Sequence, residues 1–452
     1  MSGLGRRDFL RKTALAGGCL LAPSLTGLIS CAELRESIKG KGYGKLHPSA
    51  DVNGIISLPR HFHAALLSTA GDPMIEGTVP IAFDGMAAFA AGGDLVRLVR
   101  NHEVRDTPED GARPFGPNPY DKFGPGGTTT VELRVAADGR PQLVRQFASL
   151  AGTSINCAGG PTPWGSWISC EETIAGTDGG WEKNHGYTFE VPASSNGVVT
   201  PVPLKQMGRF IHEAVAVDPV TRYVYLTEDN SPAGFYRFIP KTPGRLQEGG
   251  RLEMLAVEGE RQYDTKANQR LLSPMKVRWL PIRHPDSAAG TLDSRFVFDQ
   301  GFEQGAAQFS RLEGCWYGDR SIFFNATVGG NEQLGQVWQY QAERQELQLI
   351  FESPSKKVLE NPDDITVSPR GGIVLCEDGG GIDHLRGLTK AGEIFDFAKN
   401  NLNRSEWCGA CFSPQGRTLF VNIQGSNRAQ QVPSGVKGMT FAIWGPWESG
   451  AL

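Results

Sequence analysis

The stretch Asn156-Cys-Ala-Gly-Gly-Pro-Thr-Pro-Trp-Gly-Ser-Trp-Ile-Ser-Cys-Glu-Glu172 decides the fold. An amide and a thiol open it, a Gly/Pro turn divides a short apolar run, and two carboxylates close it. Such a segment reads as a β-hairpin whose two polar ends lie side by side at one rim. The grammar of polar end, apolar run, turn, apolar run and polar end recurs along the chain. It runs from Asp84 to Glu103, Cys157 to Glu171, Glu213 to Glu228, Glu313 to Asn325, Asp363 to Glu377 and Glu406 to Asn422. Three turns are especially alike: Val217-Asp-Pro-Val-Thr-Arg222, Val367-Ser-Pro-Arg-Gly-Gly372 and Phe412-Ser-Pro-Gln-Gly-Arg417. Each sets Pro at the first corner of a type I turn, with Asp or Ser before it to bond the backbone.

The runs beside these turns, such as Tyr223-Val-Tyr-Leu-Thr227, Gly372-Ile-Val-Leu-Cys376 and Thr418-Leu-Phe-Val421, carry the β-branched and aromatic residues of strands. Six units at irregular spacing fit propeller blades with insertions better than a solenoid of fixed period. The pattern predicts an all-β chain, a six-bladed β-propeller spanning 50–452 as one domain, with 104–127 and 241–295 as inserted loops. If the hairpins are the inner strands of the blades, their ends gather at one mouth of the central channel. That brings Glu103, Cys157, Glu171, Glu213, Glu228, Glu313, Asp363 and Glu377 together. So many carboxylates cannot all stay ionised in a confined space without cations.

Composition agrees with this reading. With 57 Gly and 29 Pro among 452 residues, many positions go to turns, so short strands are expected and long helices are not. Hydrophobic content of 39% is that of a globular chain and argues against a multi-span membrane protein.

The N-terminus reads Gly5-Arg6-Arg7-Asp8-Phe9-Leu10-Arg11-Lys12, then an apolar stretch from Thr13 to Ile29. Paired arginines ahead of a short apolar segment resemble a twin-arginine export signal, which implies the export machinery as a partner and an extracytoplasmic, periplasmic location. Leu28-Ile29-Ser30-Cys31 also fits a lipoprotein box, so residues 1–30 are expected to be removed and 31–49 to form a linker. Cleavage leaves either a lipid anchor at Cys31, the one expected tie to a membrane, or a free soluble protein. Loss of residues 1–30 takes Arg6, Arg7, Arg11 and Lys12 against Asp8, moving the formal charge from −4 to −7. An acidic chain gives no electrostatic case for binding nucleic acid. Six cysteines remain beyond Cys31, in no disulfide-scaffold spacing, and Cys408-Gly-Ala-Cys411 lies within a strand pattern rather than at a helix start.

Several motifs resemble the PhoX-type bacterial alkaline phosphatases in their shorter form. They include Asn101-His-Glu103, Gly152-Thr-Ser-Ile-Asn-Cys-Ala-Gly-Gly160, Thr162-Pro-Trp-Gly165, Gly208-Arg-Phe-Ile-His-Glu213 and Tyr225-Leu-Thr-Glu-Asp229. Phe235-Tyr-Arg237, Glu360-Asn-Pro-Asp363, Cys376-Glu-Asp378, Leu385-Arg-Gly-Leu388 and Phe441-Ala-Ile-Trp-Gly-Pro446 continue the match from about residue 50 to the C-terminus. The resemblance implies a periplasmic phosphomonoesterase with a propeller fold and an iron and calcium cluster, held by carboxylates and one thiolate. Cys157 matches that thiolate; soft sulfur suits iron and hard oxygens suit calcium.

Phosphoryl transfer needs its developing charge held, and Arg386 is the first choice for a phosphate clamp, since a guanidinium offers paired donors. The structural alternative is an arginine paired with an acid. Asn156 is read as a donor to a phosphate oxygen or a holder of its turn, and His212 as a substrate contact or a support for backbone. In Glu171-Glu172, Glu228-Asp229 and Glu377-Asp378 only one side chain of each pair can face the channel; the first of each is taken, the second being the choice if the strand bulges. No Gly-rich nucleotide loop and no GxSxG elbow is present. Two rivals to a phosphatase acting on small phosphate esters stay open, a calcium-dependent lactonase or esterase and a non-catalytic binding propeller; a monomer is expected.

Overall fold

The computed structural model describes residues 42–286, 293–431 and 435–452, all within the compact unit Ile38–Leu452. The expected signal, Cys31 and most of the linker lie outside the described residues.

Six antiparallel blades surround a central axis, blades 3 and 4 being joined in one nine-stranded sheet. Blade 1 is built from Phe83–Ala90, Leu95–His102, Gly126–Val135 and Pro141–Thr153, and blade 2 from Asn156–Pro161, Ser166–Glu171 and Thr188–Pro192. Blade 3 holds His212–Val217, Val224–Glu228, Phe235–Pro240 and Gly250–Val257; blade 4 holds Leu312–Gly318, Ser321–Ala326, Gln336–Gln341 and Glu346–Glu352. Blade 5 runs through Pro362–Val367, Ile373–Glu377, His384–Leu388 and Ile394–Asn400, and gains Ile56–Pro59 and Leu46–Pro48 on its outer edge. Blade 6 has Trp407–Phe412, Thr418–Ile423 and Met439–Trp444 from the C-terminal end, and its outer strand, His63–Thr69, comes from the N-terminal end. Each inner strand packs against the next, and that of blade 6 packs against that of blade 1, so the ring closes. The hairpin starts and ends read from the sequence are the first two strands of every blade.

The three similar turns form as their residues dictate. Asp218 accepts from Val220 N at 2.9 Å, Ser368 Oγ from Arg370 N at 3.2 Å, and Ser413 Oγ from Thr418 N at 3.2 Å. The expectation that 241–295 is an inserted loop needs correction. Gly250–Val257 is the fourth strand of blade 3, and Met275–Ile282 pairs beyond it and also touches Glu346 and Leu347 of blade 4. Leu252, Met254 and Ala256 supply its buried core face, a short alternation that flanking Pro, Gly and charged residues concealed. Residues 104–125 are largely loop, with one short turn of 3-10 helix.

Apolar clusters fill the spaces between blades, anchored by the fully buried Trp167, Trp338, Trp407 and Trp447. Inner strands approach one another closely. A Cβ on Gly85 would lie 2.6 Å from Ala158 Cα, and one on Gly160 would lie 1.9 Å from Val215 O. No helix of the described residues is long and apolar enough to cross a membrane.

Candidate metal centre

One backbone irregularity, repeated six times, builds the site. In each hairpin the inner strand gains one residue right after a cross-strand pair at its channel end, the first pair in blades 1 to 5 and the second in blade 6: Phe83↔His102, Asn156↔Glu171, His212↔Glu228, Leu312↔Ala326, Pro362↔Glu377 and Cys408↔Asn422. This is a β-bulge, in which two residues oppose one and the first is re-aimed. The bulged pairs are Asp84-Gly85, Cys157-Ala158, Glu213-Ala214, Glu313-Gly314, Asp363-Asp364 and Gly409-Ala410. Five blades thus place an acid or a thiol at the same level of the channel wall.

The second strand supplies the rest. In blades 1, 2, 3 and 5 the second-strand residue following the pair before the bulge is Glu103, Glu172, Asp229 and Asp378; blades 4 and 6 carry Thr327 and Ile423 there. Glu406 joins from the segment entering blade 6. Donor atoms lie within 4.8 Å of one another in four groups: Glu103, Cys157 and Glu172; Glu213, Glu313 and Asp363; Asp363, Asp378 and Glu406; and Asp84, Glu406 and Cys408. Cys157 Sγ donates to Glu213 Oε1 at 3.0 Å and links the first two groups.

Of the residues expected at this rim, Glu103, Cys157, Glu213, Glu313 and Asp363 come together. Glu171, Glu228 and Glu377 do not, because strand alternation turns the paired residue into the blade and its successor toward the channel. Glu171 accepts from Ser154 N, Gly186 N, Tyr187 N and His185; Glu228 from Gly234 N and Tyr236 Oη; Glu377 from Glu360 N, His384 N and Arg386.

The expected catalytic side chains also lie away from the centre. Arg386 is buried in blade 5, held by Glu377 at 2.7 Å and by Asp396. His212 Nε2 meets Gly208 O at 3.0 Å, its ring packs on Phe210, and burial lowers its pKa to about 4. Asn156 accepts from Thr153 Oγ1 and donates to Ser169 Oγ, securing its turn. Both His212 and Asn156 are the paired residue before a bulge, the same phase as Glu171.

Two arginines were missed. Arg105 meets Glu103 and, at 2.5 Å, Glu172; Arg311 takes Asp229 through Nε at 2.8 Å and Nη2 at 2.9 Å and reaches Glu313 at 2.7 Å. Each follows a centre acid by two or precedes one by two, and that spacing was the available signal. Their side chains are 36% and 39% exposed, the open side of an otherwise buried cluster.

Burial, then mutual repulsion, holds Asp84, Glu172, Glu213, Glu313, Asp363 and Glu406 well above the usual carboxylate range, and pushes Glu103 up to about 7. Burial and the surrounding acids raise the Cys157 thiol too. Glu213 Oε2 is buried without a hydrogen-bond partner. Convergent oxygens, one bridging thiol and an orphaned carboxylate oxygen form a donor set suited to several cations.

A family model described as alkaline phosphatase PhoX matches residues 41–427. No curated protein sequence matches the chain. Among solved structures, Pseudomonas fluorescens PhoX in complex with vanadate, a transition state analogue, is 18% identical and superposes with a TM-score of 0.68 over 92% of this chain and 99% of that one. A gluconolactonase from Xanthomonas campestris is 11% identical over 89% of this chain and 98% of its own, with a TM-score of 0.41. The first likeness shows the propeller fold; the second is too loose to carry an argument.

Proposed function

Because the chain belongs to the alkaline phosphatase PhoX family and is thereby a hydrolase of phosphate monoesters, we propose that it works in the cell envelope through an iron and calcium cluster held at the channel mouth. The twin-arginine pattern at the N-terminus supports the location, and the donor chemistry supports the metals. Cys157 with Glu103 and Glu172 is the softer end and would hold iron. Glu213, Glu313, Asp363, Asp378 and Glu406 offer only oxygen and would hold calcium. When bound there, such a cluster neutralises phosphate oxygens and activates water for attack on phosphorus.

The chain's own residues do the positioning. Asp229 holds Nε and Nη2 of Arg311 and leaves Nη1 outside that pair. Arg311 Nη1 would donate to a substrate phosphate, and Arg105, whose side chain is likewise partly exposed, would offer a second guanidinium. The buried wall beneath them excludes bulk water, which strengthens these charge-assisted bonds.

The single observation that carries this reading is the shared bulge that sets Asp84, Cys157, Glu213, Glu313 and Asp363 on one ring. Elemental analysis of folded protein and Cys157→Ser, with turnover of a chromogenic phosphomonoester, tests it. Iron plus calcium in the parent, iron lost in the variant and turnover lost with it are expected. Calcium alone, untouched by the substitution, would sink the mixed cluster. Arg311→Ala should lower kcat/KM by about 10²–10³ with metal content unchanged, the usual effect of losing one transition-state donor; a parent-like rate removes it from the site.

A further inference from the structure

Two blades break the sixfold pattern, and their exceptions touch. Blade 6 alone puts a residue without a side chain at the donor position, Gly409, with φ at +63°. Blade 5 alone puts an acid at the second bulge position, Asp364, where the others have Gly85, Ala158, Ala214, Gly314 and Ala410. Asp364 Oδ2 accepts from Gly409 N at 2.6 Å, and Oδ1 from Ile365 N at 2.8 Å. Asp364 is buried, and backbone N–H groups rather than the centre take up its oxygens.

The other flank of blade 6 is tied as firmly. Asn422 Nδ2 donates to Asp84 O at 2.7 Å while its Oδ1 accepts from Thr440 Oγ1 at 2.6 Å. Cys408 Sγ donates to Phe83 O at 3.1 Å. A Cβ at position 409 would lie 2.5 Å from Asp84 O and 2.6 Å from Asn422 Nδ2, so no side chain fits between these ties. Asp363, next to Asp364, is one of two acids, with Glu406, that are shared by two of the donor groups.

We infer that blade 6, which lacks at its bulge the donor that the other five blades carry there, acts as the spacer that fixes Asp363 and Asp84 relative to each other, with Asp364, Gly409 and Asn422 as positioning residues. The inference rests on the metal-centre reading above. Charge geometry explains the device. Six donors at one level would crowd a channel already rich in repelling carboxylates, whereas a backbone N–H seats the Asp364 carboxylate and holds its neighbour in place without adding a ligand. Partners behind a ligand commonly set metal affinity by 10- to 100-fold.

The test compares parent protein, Asp364→Asn and Asn422→Ser, each stripped and reloaded, by competition for calcium against a chromophoric chelator. Both Asp364 oxygens accept from backbone N–H groups, so the first substitution would turn an amide donor toward either Gly409 N–H or Ile365 N–H in place of a carboxylate oxygen. Calcium affinity should fall by about 10- to 100-fold in Asp364→Asn, and kcat/KM at limiting calcium should fall with it and return at saturating calcium. Affinity within twofold of the parent, with only the thermal midpoint of stripped protein lowered, overturns the inference in favour of a merely structural tie. Asn422→Ser, weakening the Asp84 side, decides the matter if Asp364→Asn does not fold. A parent that binds no calcium overturns the underlying metal reading instead, and shows this before any variant is compared.

Discussion

His185 shows how single residues carry the rim. It is wholly buried between Glu171, at 2.6 Å from Nδ1, and Asp121, at 3.5 Å from Nε2. Burial by itself would lower its pKa, but the two carboxylates prevail and push it up to about 9. A folded pKa above the unfolded value of about 6.5 means stabilisation that is full below pH 6.5 and lost as pH rises through 9. The stake is on the order of 3 kcal/mol. The thermal midpoint of metal-saturated protein should therefore decline between pH 7 and 9.5, and His185→Gln should be less stable at pH 7 with a flatter profile. Equal slopes would show that the imidazolium contributes nothing. The same neighbourhood explains what the sequence concealed. Glu171 and Glu172 are chemically the same in the chain, and only the phase of the strand makes one a partner for His185 and the other a member of the centre. Arg386, likewise, is an arginine near acids in either case; only the packing of blade 5 shows that Glu377 and Asp396 consume it.

At the scale of elements, hairpins, turns and strand-forming runs were legible because local side chains determine them. The bulge was not, since a single extra residue leaves no mark in units of unequal length. A small residue after the donor, as in Asp84-Gly85, Cys157-Ala158, Glu213-Ala214 and Glu313-Gly314, was the trace it left. These small residues permit the inner strands to approach, and Gly160, further along the inner strand of blade 2, makes the tightest approach, with Val215 O 1.9 Å from where its Cβ would stand. Gly160→Ala should destabilise by about 1–3 kcal/mol, since the obstacle is backbone and cannot rotate away. Urea unfolding measures this directly. Gly197→Ala, where a Cβ would meet nothing within 4 Å, is the control and should change stability by about 0.5 kcal/mol or less. A Gly160→Ala curve matching that control would mean that blades 2 and 3 can part without cost.

The whole molecule joins ring closure to ligand binding. The outer strand His63–Thr69 pairs with Met439–Trp444, so the two ends of the described chain seal blade 6, a long-range pairing that no local pattern announces. Donors from blades 1, 2, 3, 4 and 5 and from the start of blade 6 then gather at one level of the channel. Cations there would act as a second closure, and their removal should lower the unfolding midpoint. Each tenfold rise of free calcium above its dissociation constant adds about 1.4 kcal/mol per site. The pH response should reverse as well. In stripped protein Glu103 titrates near 7, above its unfolded range, and Asp363, Glu213 and Glu313 are held high in the same way. A carboxyl with a raised folded pKa stabilises while protonated, below about pH 4.5, and loses that contribution as pH climbs through 7. Cations that require the ionised form reverse the sign: loaded protein should gain stability over the interval in which stripped protein loses it. Thermal midpoints at pH 5 and pH 7, below the range in which His185 loses its proton, with chelator and with saturating calcium and iron, give four values that settle the point. Crossing trends are expected, and parallel ones would mean that the carboxylates of the ring hold no cation.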